Sequence, residues 1–274
     1  MKKRGTRFER IINDIKSIKI QGSTNIAKAG IEAYLIQPDK KSAEKIIATR
    51  PTEPLMQNAV KTLEKSINKK KSAKLFLKYI KKSEEKISKR GAELIKNNMN
   101  IFTHCHSKTV VNILIRAKKQ KKHFVVYNTE TYPLFQGRKT AKELAKAGIK
   151  IIHMDDKSAE YALKKSDLFL FGSDAFTPRG VVNKSGTAMY CEIAKLHNVP
   201  RYSCGVALKY ADKIRLEQRK GNEVWNEHEK NIQVLNPAFD LVNKKLLTGV
   251  ITELGVMHYG EFLKKIQAIS KTFL

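Results

Sequence analysis

Between Phe8 and about Lys96 the apolar residues recur three and four positions apart. Phe8, Ile11, Ile12, Ile15 and Ile18 make one stripe, and Leu75, Phe76, Tyr79 and Ile80 another. This period gathers each set on one face of a helix, so the first third of the chain is predicted to be helical throughout. Breaks are expected at Gly22, at Pro38-Asp39, at Pro51 and Pro54, and at the lysine run before Ser72. After Asn100 short apolar runs take over: Ile101 to Thr103, Phe124 to Tyr127, Ile149 to Met154, Leu168 to Phe171, Arg201 to Ser203, and Val250-Ile251. Stretches of helical length separate most of them: Val110 to Lys119, Thr140 to Ala147, Ala159 to Lys165 and Thr187 to Leu196. Strand, helix and strand in alternation imply right-handed crossovers and a parallel sheet. The fold class is therefore α/β: a helical N-terminal domain, 1–98, followed by a Rossmann-like parallel-sheet domain, 99–274.

Composition narrows the class. With 274 residues, 41% of them hydrophobic, the chain can bury a full core. No run approaches the ~18 consecutive apolar residues of a membrane span, and the basic start has no apolar stretch behind it, so a cytoplasmic protein without membrane association is expected. Cys105, Cys191 and Cys204 are too few and too scattered for a disulfide framework or a paired-cysteine zinc site. The formal charge of +28 would suit a polyanionic partner. Most of it is Lys, however, spread through every segment, and Arg, which makes the specific phosphate and base contacts, is sparse. The charge is read either as a compositional habit or as a binding surface, with nucleic-acid binding expected to be non-specific only.

Polar clusters directly follow the predicted strands: His104 to Ser107, Asn128 to Thr131, Asp155-Asp156, Gly172 to Asp174, Ser203 to Gly205, and Thr252-Glu253. In an open parallel sheet ligands bind at the carboxyl ends of the strands, where loops converge and helix N-termini present their N–H groups. Cys105 falls where a strand gives way to a helix with Ser107 as cap, a setting that favours thiolate. The alternative is a small packing residue, the reading given to Cys191 and Cys204. Zinc on His104-Cys105-His106 is not expected, because neighbours on extended chain point opposite ways and no second ligand pair exists, and no metal or cofactor is expected. Asp174 is a candidate general acid or base if burial holds its proton near neutral pH; a turn or cap residue is the alternative. The segment from Gly180 through Asn183 and Lys184 to Thr187 joins a lysine, small residues and a helix start, which suits an anion. It lacks the spacing of a nucleotide-binding P-loop, and no dinucleotide fingerprint is present.

Taken together, Gln21-Gly22-Ser23, Thr49-Arg50-Pro51-Thr52 with Asn58, Thr103-His104-Cys105-His106-Ser107, Thr129-Glu130-Thr131 with Gln136-Gly137, Gly172-Ser173-Asp174, Asn183-Lys184 through Thr187, and Asn236 through Asp240 form a recognisable set. The chain resembles the superfamily that joins the regulatory subunits of translation initiation factor 2B with methylthioribose-1-phosphate isomerase and archaeal ribose-1,5-bisphosphate isomerase. Thr103 to Ser107 and Asn236 to Asp240, followed by Thr252-Glu253, look most like the last of these. The resemblance implies an aldose-ketose isomerase converting ribose 1,5-bisphosphate to ribulose 1,5-bisphosphate in AMP breakdown. It implies Cys105 and Asp174 as the catalytic pair: Asp174 as acid on the ring oxygen, and the Cys105 thiolate assisting hydrogen transfer from C2 to C1. Gly22, Ser23, Arg50, Asn183 and Lys184 would hold phosphates and hydroxyls. A homo-oligomer, dimer or hexamer, is implied as well, with a nucleotide as the candidate activator.

Two departures stand out. Gln21 and Tyr132 occupy positions where the isomerases commonly carry arginine, which should weaken phosphate binding unless Arg138, Lys139 or Lys209 compensates. The competing function is a non-catalytic regulatory subunit resembling initiation factor 2B.

Overall fold

The computed structural model describes residues 6–227 and 229–273. Five helices come first: α1 (Arg7–Lys16), α2 (Ser23–Ile36), α3 (Lys40–Thr49), α4 (Pro54–Lys65) and α5 (Lys69–Leu94). Then follow β1 (Met99–Thr103), α6 (Lys108–Lys119), β2 (Phe124–Thr129), α7 (Gln136–Lys146), β3 (Lys150–Met154), α8 (Ala159–Leu163) and β4 (Leu168–Gly172). The chain continues through β5 (Ala175–Thr177), β6 (Gly180–Lys184), α9 (Thr187–Leu196), β7 (Arg201–Cys204), β8 (Phe239–Asn243), β9 (Gly249–Thr252), β10 (Gly255–Met257) and α10 (Tyr259–Phe273). The α/β class and the Rossmann-like parallel sheet expected from the sequence are present.

Several details differ. Helix α1 ends at Lys16, and Ile18 lies beyond it in a left-handed conformation (φ 61°), so the buried stripe is Phe8, Ile12 and Ile15. The lysine run does not interrupt the helices. It is the first turn of α5, because the Asn68 side chain accepts a hydrogen bond from the Lys71 amide at 2.9 Å and caps it. On α5 the inward face is Ala73, Phe76, Ile80 and Ile87, while Leu75 and Tyr79 stay exposed.

The main sheet has the order β10-β9-β7-β4-β1-β2-β3, parallel except for β10. From β1 the chain builds outward through β2 and β3, then returns to place β4 on the other side of β1. The carboxyl ends of β1 and β4 therefore flank the point where strand order reverses, the crevice in which open α/β sheets bind ligands. Alternate residues serve two cores: Ile101, Leu168 and Leu170 pack with the N-terminal helices, whereas Phe102, Phe169 and Phe171 pack on the opposite face with Tyr190 and Phe262.

A second sheet, β5-β6-β8, is antiparallel and was not apparent in the sequence. It makes the Gly180 to Lys184 segment, read from the sequence only as an anion-suited stretch before a helix start, a strand. The residues 211–238 contribute no long element; this segment passes back over the N-terminal helices before β8 begins.

Candidate active site

Cys105 and Asp174 each stand two residues beyond neighbouring strands, β1 and β4. Cys105 is half-buried and adopts a left-handed backbone (φ 63°). That conformation is held on both sides: its amide donates to Thr131 Oγ1 at 3.1 Å, and its carbonyl accepts from Thr140 Oγ1 at 2.8 Å. Ser107 caps α6 by accepting from the Val110 amide, as expected.

The thiolate expectation fails. Burial pushes the Cys105 thiol up to about 12, with Asp174 and Asp156 adding to the shift, and the His106 amide and Lys184 only partly oppose it. Cys105 lies outside the first turn of α6, where the helix dipole is felt, so lost hydration outweighs the helix. Cys191 and Cys204 are fully buried packing residues, as read.

Burial raises the Asp174 carboxyl, against the lowering influence of Lys209, Arg50 and Lys184. Its amide donates to the Val182 carbonyl at 2.8 Å, which docks the loop on β6. From β6, the Asn183 amide, assigned so that its oxygen accepts from the Thr187 hydroxyl at 3.0 Å, turns its nitrogen to Asp174 Oδ2 at 3.2 Å and to the Gly172 carbonyl at 3.3 Å. The neighbouring Lys184 is buried and acts electrostatically on both Asp174 and Cys105. Lys209 is buried too, and its Nζ donates to the Ser173 carbonyl. Gly205 permits this approach: a Cβ there would sit 2.0 Å from Ser173 Oγ. The hydroxyl of Ser173 has no hydrogen-bond partner among the described residues, so a buried polar group is left open in the crevice.

The N-terminal helices supply the rest. Arg50, at the end of α3, is buried, with Nε 3.1 and 3.2 Å from the two carboxylate oxygens of Glu217 and Nη2 3.5 Å from Glu53 Oε1. Gly22 caps α2 at φ 85°, a backbone open to glycine, and no side chain caps the first amides of that helix. Ser23 lies beside Glu53, and Glu53 faces Asp174, Arg50 and Lys209. Gly22, Ser23, Arg50, Asn183, Lys184 and Lys209 thus surround or adjoin the Cys105–Asp174 crevice.

Arg138 does not join them. It bonds Glu130 Oε2 through Nε at 2.7 Å and Nη2 at 2.6 Å, stacks over Phe135 at 4.1 Å, and is half exposed on α7. Tyr132 is likewise exposed, its hydroxyl donating to the Val224 carbonyl in the 211–238 segment. Two of the polar clusters are structural instead: Asp156 accepts from the Thr131 and Tyr132 amides, Asp155 caps a turn, and Glu253 accepts from the Tyr79 hydroxyl and the Ala207 amide. Glu53 and Glu217 went unrecognised in the sequence. Nothing local marks them, since each becomes buried through residues far away in the chain.

The initiation factor 2 subunit family model matches residues 24–259. The ribose 1,5-bisphosphate isomerase of Pyrococcus furiosus is 34% identical, the match covering 90% of this chain and 89% of that protein. The methylthioribose-1-phosphate isomerase of Fervidobacterium nodosum is 31% identical over 83% of this chain and 75% of that one. Among solved structures, a translation initiation factor eIF-2B from Pyrococcus horikoshii OT3 superposes with a TM-score of 0.84 at 26% identity, covering 93% of this chain and 98% of its own. The match through both the helices and the sheet makes the chain a member of the initiation factor 2 subunit family, a family in which its relatives include sugar-phosphate isomerases.

Proposed function

We propose that this chain is an aldose-ketose isomerase converting ribose 1,5-bisphosphate to ribulose 1,5-bisphosphate. The observation that carries the reading is Asp174, a half-buried carboxyl raised above its ordinary range, which stands with Cys105 at the switch point of the sheet and has two buried lysines around it. A phosphate on the anomeric oxygen blocks spontaneous ring opening, so the enzyme must protonate the ring oxygen, and a neutral carboxyl is the group for that task. Asn183 orients the acid. Lys184, Lys209 and the uncapped amides after Gly22 supply positive charge for phosphate groups. Cys105 enters as a neutral thiol at the reacting edge of the sugar rather than as a thiolate. The test is to incubate purified protein with a panel of sugar 1-phosphates and 1,5-bisphosphates and follow ketose formation. Ribose 1,5-bisphosphate should be the best substrate.

A second reading is a regulatory subunit that binds but does not turn over a phosphosugar or nucleotide. It draws on the pairing of Arg50 with Glu217 and on the likeness to the eIF-2B structure. An inactive panel would put it first.

A further inference from the structure

His106 follows the candidate thiol and turns its ring toward α7, where Nδ1 lies 3.0 Å from Thr140 Oγ1. Thr140 is buried, and its hydroxyl donates to the Cys105 carbonyl at 2.8 Å. A carbonyl only accepts, so the single proton of that hydroxyl goes to Cys105, and the oxygen is left to accept from the His106 Nδ1–H. The tautomer is assigned from this network. Glu143 does not compete for the ring. Its Oε1 is 3.7 Å from Nε2, too long for a hydrogen bond, and its Oε2 holds Lys108 at 2.8 Å.

Thr140 reaches this place through Gly137, one turn earlier on α7. A Cβ at Gly137 would sit 1.6 Å from the Thr129 carbonyl oxygen, so only glycine lets the helix pack directly on the end of β2. Asn128 fastens the contact, its Nδ2 donating to the Gly137 carbonyl at 2.8 Å.

We infer that His106 and Thr140 are positioning residues for Cys105, a relay in which the ring fixes the hydroxyl and the hydroxyl fixes the peptide that faces the thiol. The peptide between Cys105 and His106 is trans and planar, so its carbonyl and the His106 N–H point to opposite sides. Holding the carbonyl on Thr140 therefore aims the N–H at the Cys105 sulfur, to which it donates. On the other flank Thr131 Oγ1 accepts from the Cys105 amide at 3.1 Å. A left-handed backbone is costly for a residue with a side chain, and it persists only where its neighbours over-determine it. The aimed N–H stabilises negative charge as it develops on sulfur during turnover. That consequence for turnover rests on the isomerase reading above; the relay itself does not.

The experiment compares wild type with Thr140→Val, Thr140→Ser, His106→Leu and His106→Asn, the last of which puts an amide nitrogen in the place of Nδ1. Cys105 is alkylated with iodoacetamide at about pH 8 and followed by mass spectrometry; Cys191 and Cys204 are fully buried. Thr140→Val and His106→Leu should each slow the reaction at least about three-fold, because less thiolate forms without the aimed N–H. Thr140→Ser and His106→Asn should return it to within about two-fold of wild type. On the substrate found in the panel, Thr140→Val should lower kcat about ten-fold or more with KM within about two-fold, and Thr140→Ser should recover the rate. Added to Cys105→Ala, Thr140→Val should cost little more, since a residue that acts through Cys105 then has nothing to position.

Unchanged or faster alkylation in either Thr140→Val or His106→Leu overturns the assignment, as does a full loss of kcat on top of Cys105→Ala. Should Thr140→Val fail to fold, the His106 variants decide, and equal alkylation in His106→Leu and His106→Asn overturns it. A wild type inactive on every sugar phosphate of the panel removes the isomerase reading alone, because alkylation needs no turnover.

Discussion

Arg50 and Glu217, 167 positions apart, form a buried ion pair in which the guanidinium Nε lies 3.1 and 3.2 Å from both carboxylate oxygens. Thr52 reinforces the pair, its amide donating to Glu217 and its hydroxyl to the Arg215 carbonyl. An arginine held in this way must exchange a carboxylate for a phosphate before it can bind substrate. Glu217→Gln keeps a hydrogen-bond acceptor but removes the charge. It should lower KM for a phosphorylated sugar several-fold with a smaller effect on kcat, the signature of binding shared by ground and transition states. Steady-state kinetics decides; a raised KM would mean that Glu217 positions Arg50 for phosphate.

Asp174→Asn should reduce kcat by at least about 10²-fold without loss of fold, because the amide preserves the contacts and removes the proton. The sign of the pH effect follows from the direction of the shift. Burial raises the Asp174 carboxyl, so the acid form persists above the usual carboxylate range, and activity is lost as pH rises through the raised value. A pH–rate profile of wild type should show this alkaline limb, and the residual rate of Asp174→Asn should lack it.

Tyr132 bonds the 211–238 segment through the Val224 carbonyl. Tyr132→Phe removes only that bond, and it should speed limited proteolysis within the segment while circular dichroism stays unchanged. Tyr132→Arg adds a cation at this position, and should lower KM with little change in kcat. Loss of activity in Tyr132→Arg would instead mean that the tyrosine shapes the pocket.

Asn58 joins the helices to the sheet. From inside α4 its Nδ2 donates to the Leu208 carbonyl at 2.8 Å and the Tyr210 carbonyl at 3.0 Å, all within the protein interior. Asn58→Ala would strand both acceptors, at a cost of about 2–3 kcal/mol. Urea denaturation should register this as a lower midpoint with an unchanged slope.

The charge of +28 predicts RNA or DNA binding that is weak, indifferent to sequence and steeply lost with salt, since affinity falls with the number of phosphates neutralised. Filter binding at two salt concentrations tests it. Sequence-selective nanomolar binding that survives about 0.2 M salt would contradict it.

The sequence made the parallel strands legible because each is a dense apolar run followed by a polar cluster, and Cys105 and Asp174 stood out at two of those ends. The antiparallel strands were not legible. Ala175–Thr177 and Gly180–Lys184 are short, and the pairing of the second with Phe239–Asn243 depends on contacts across more than fifty residues. The lysine run before Ser72 was expected to break the helices, although Asn68 ahead of it caps α5. Glu53 was not singled out, and Cys105 was expected to favour thiolate beside the start of a helix. In both cases burial, which no local pattern encodes, decided the chemistry.

Ile101, Phe102 and Thr103 of β1 lie in register with Leu168, Phe169 and Leu170 of β4. The interval between the two loops that carry Cys105 and Asp174 is therefore metered by main-chain hydrogen bonds, about 4.8 Å from strand to strand, and not by the fit of side chains. Substitution in either core alters stability before it alters that interval. Gln21, Glu53 and Tyr132, by contrast, are all carried on helices or loops outside this ladder. The reacting pair and the pocket that selects its substrate can thus change independently, one written in backbone and the other in side chains.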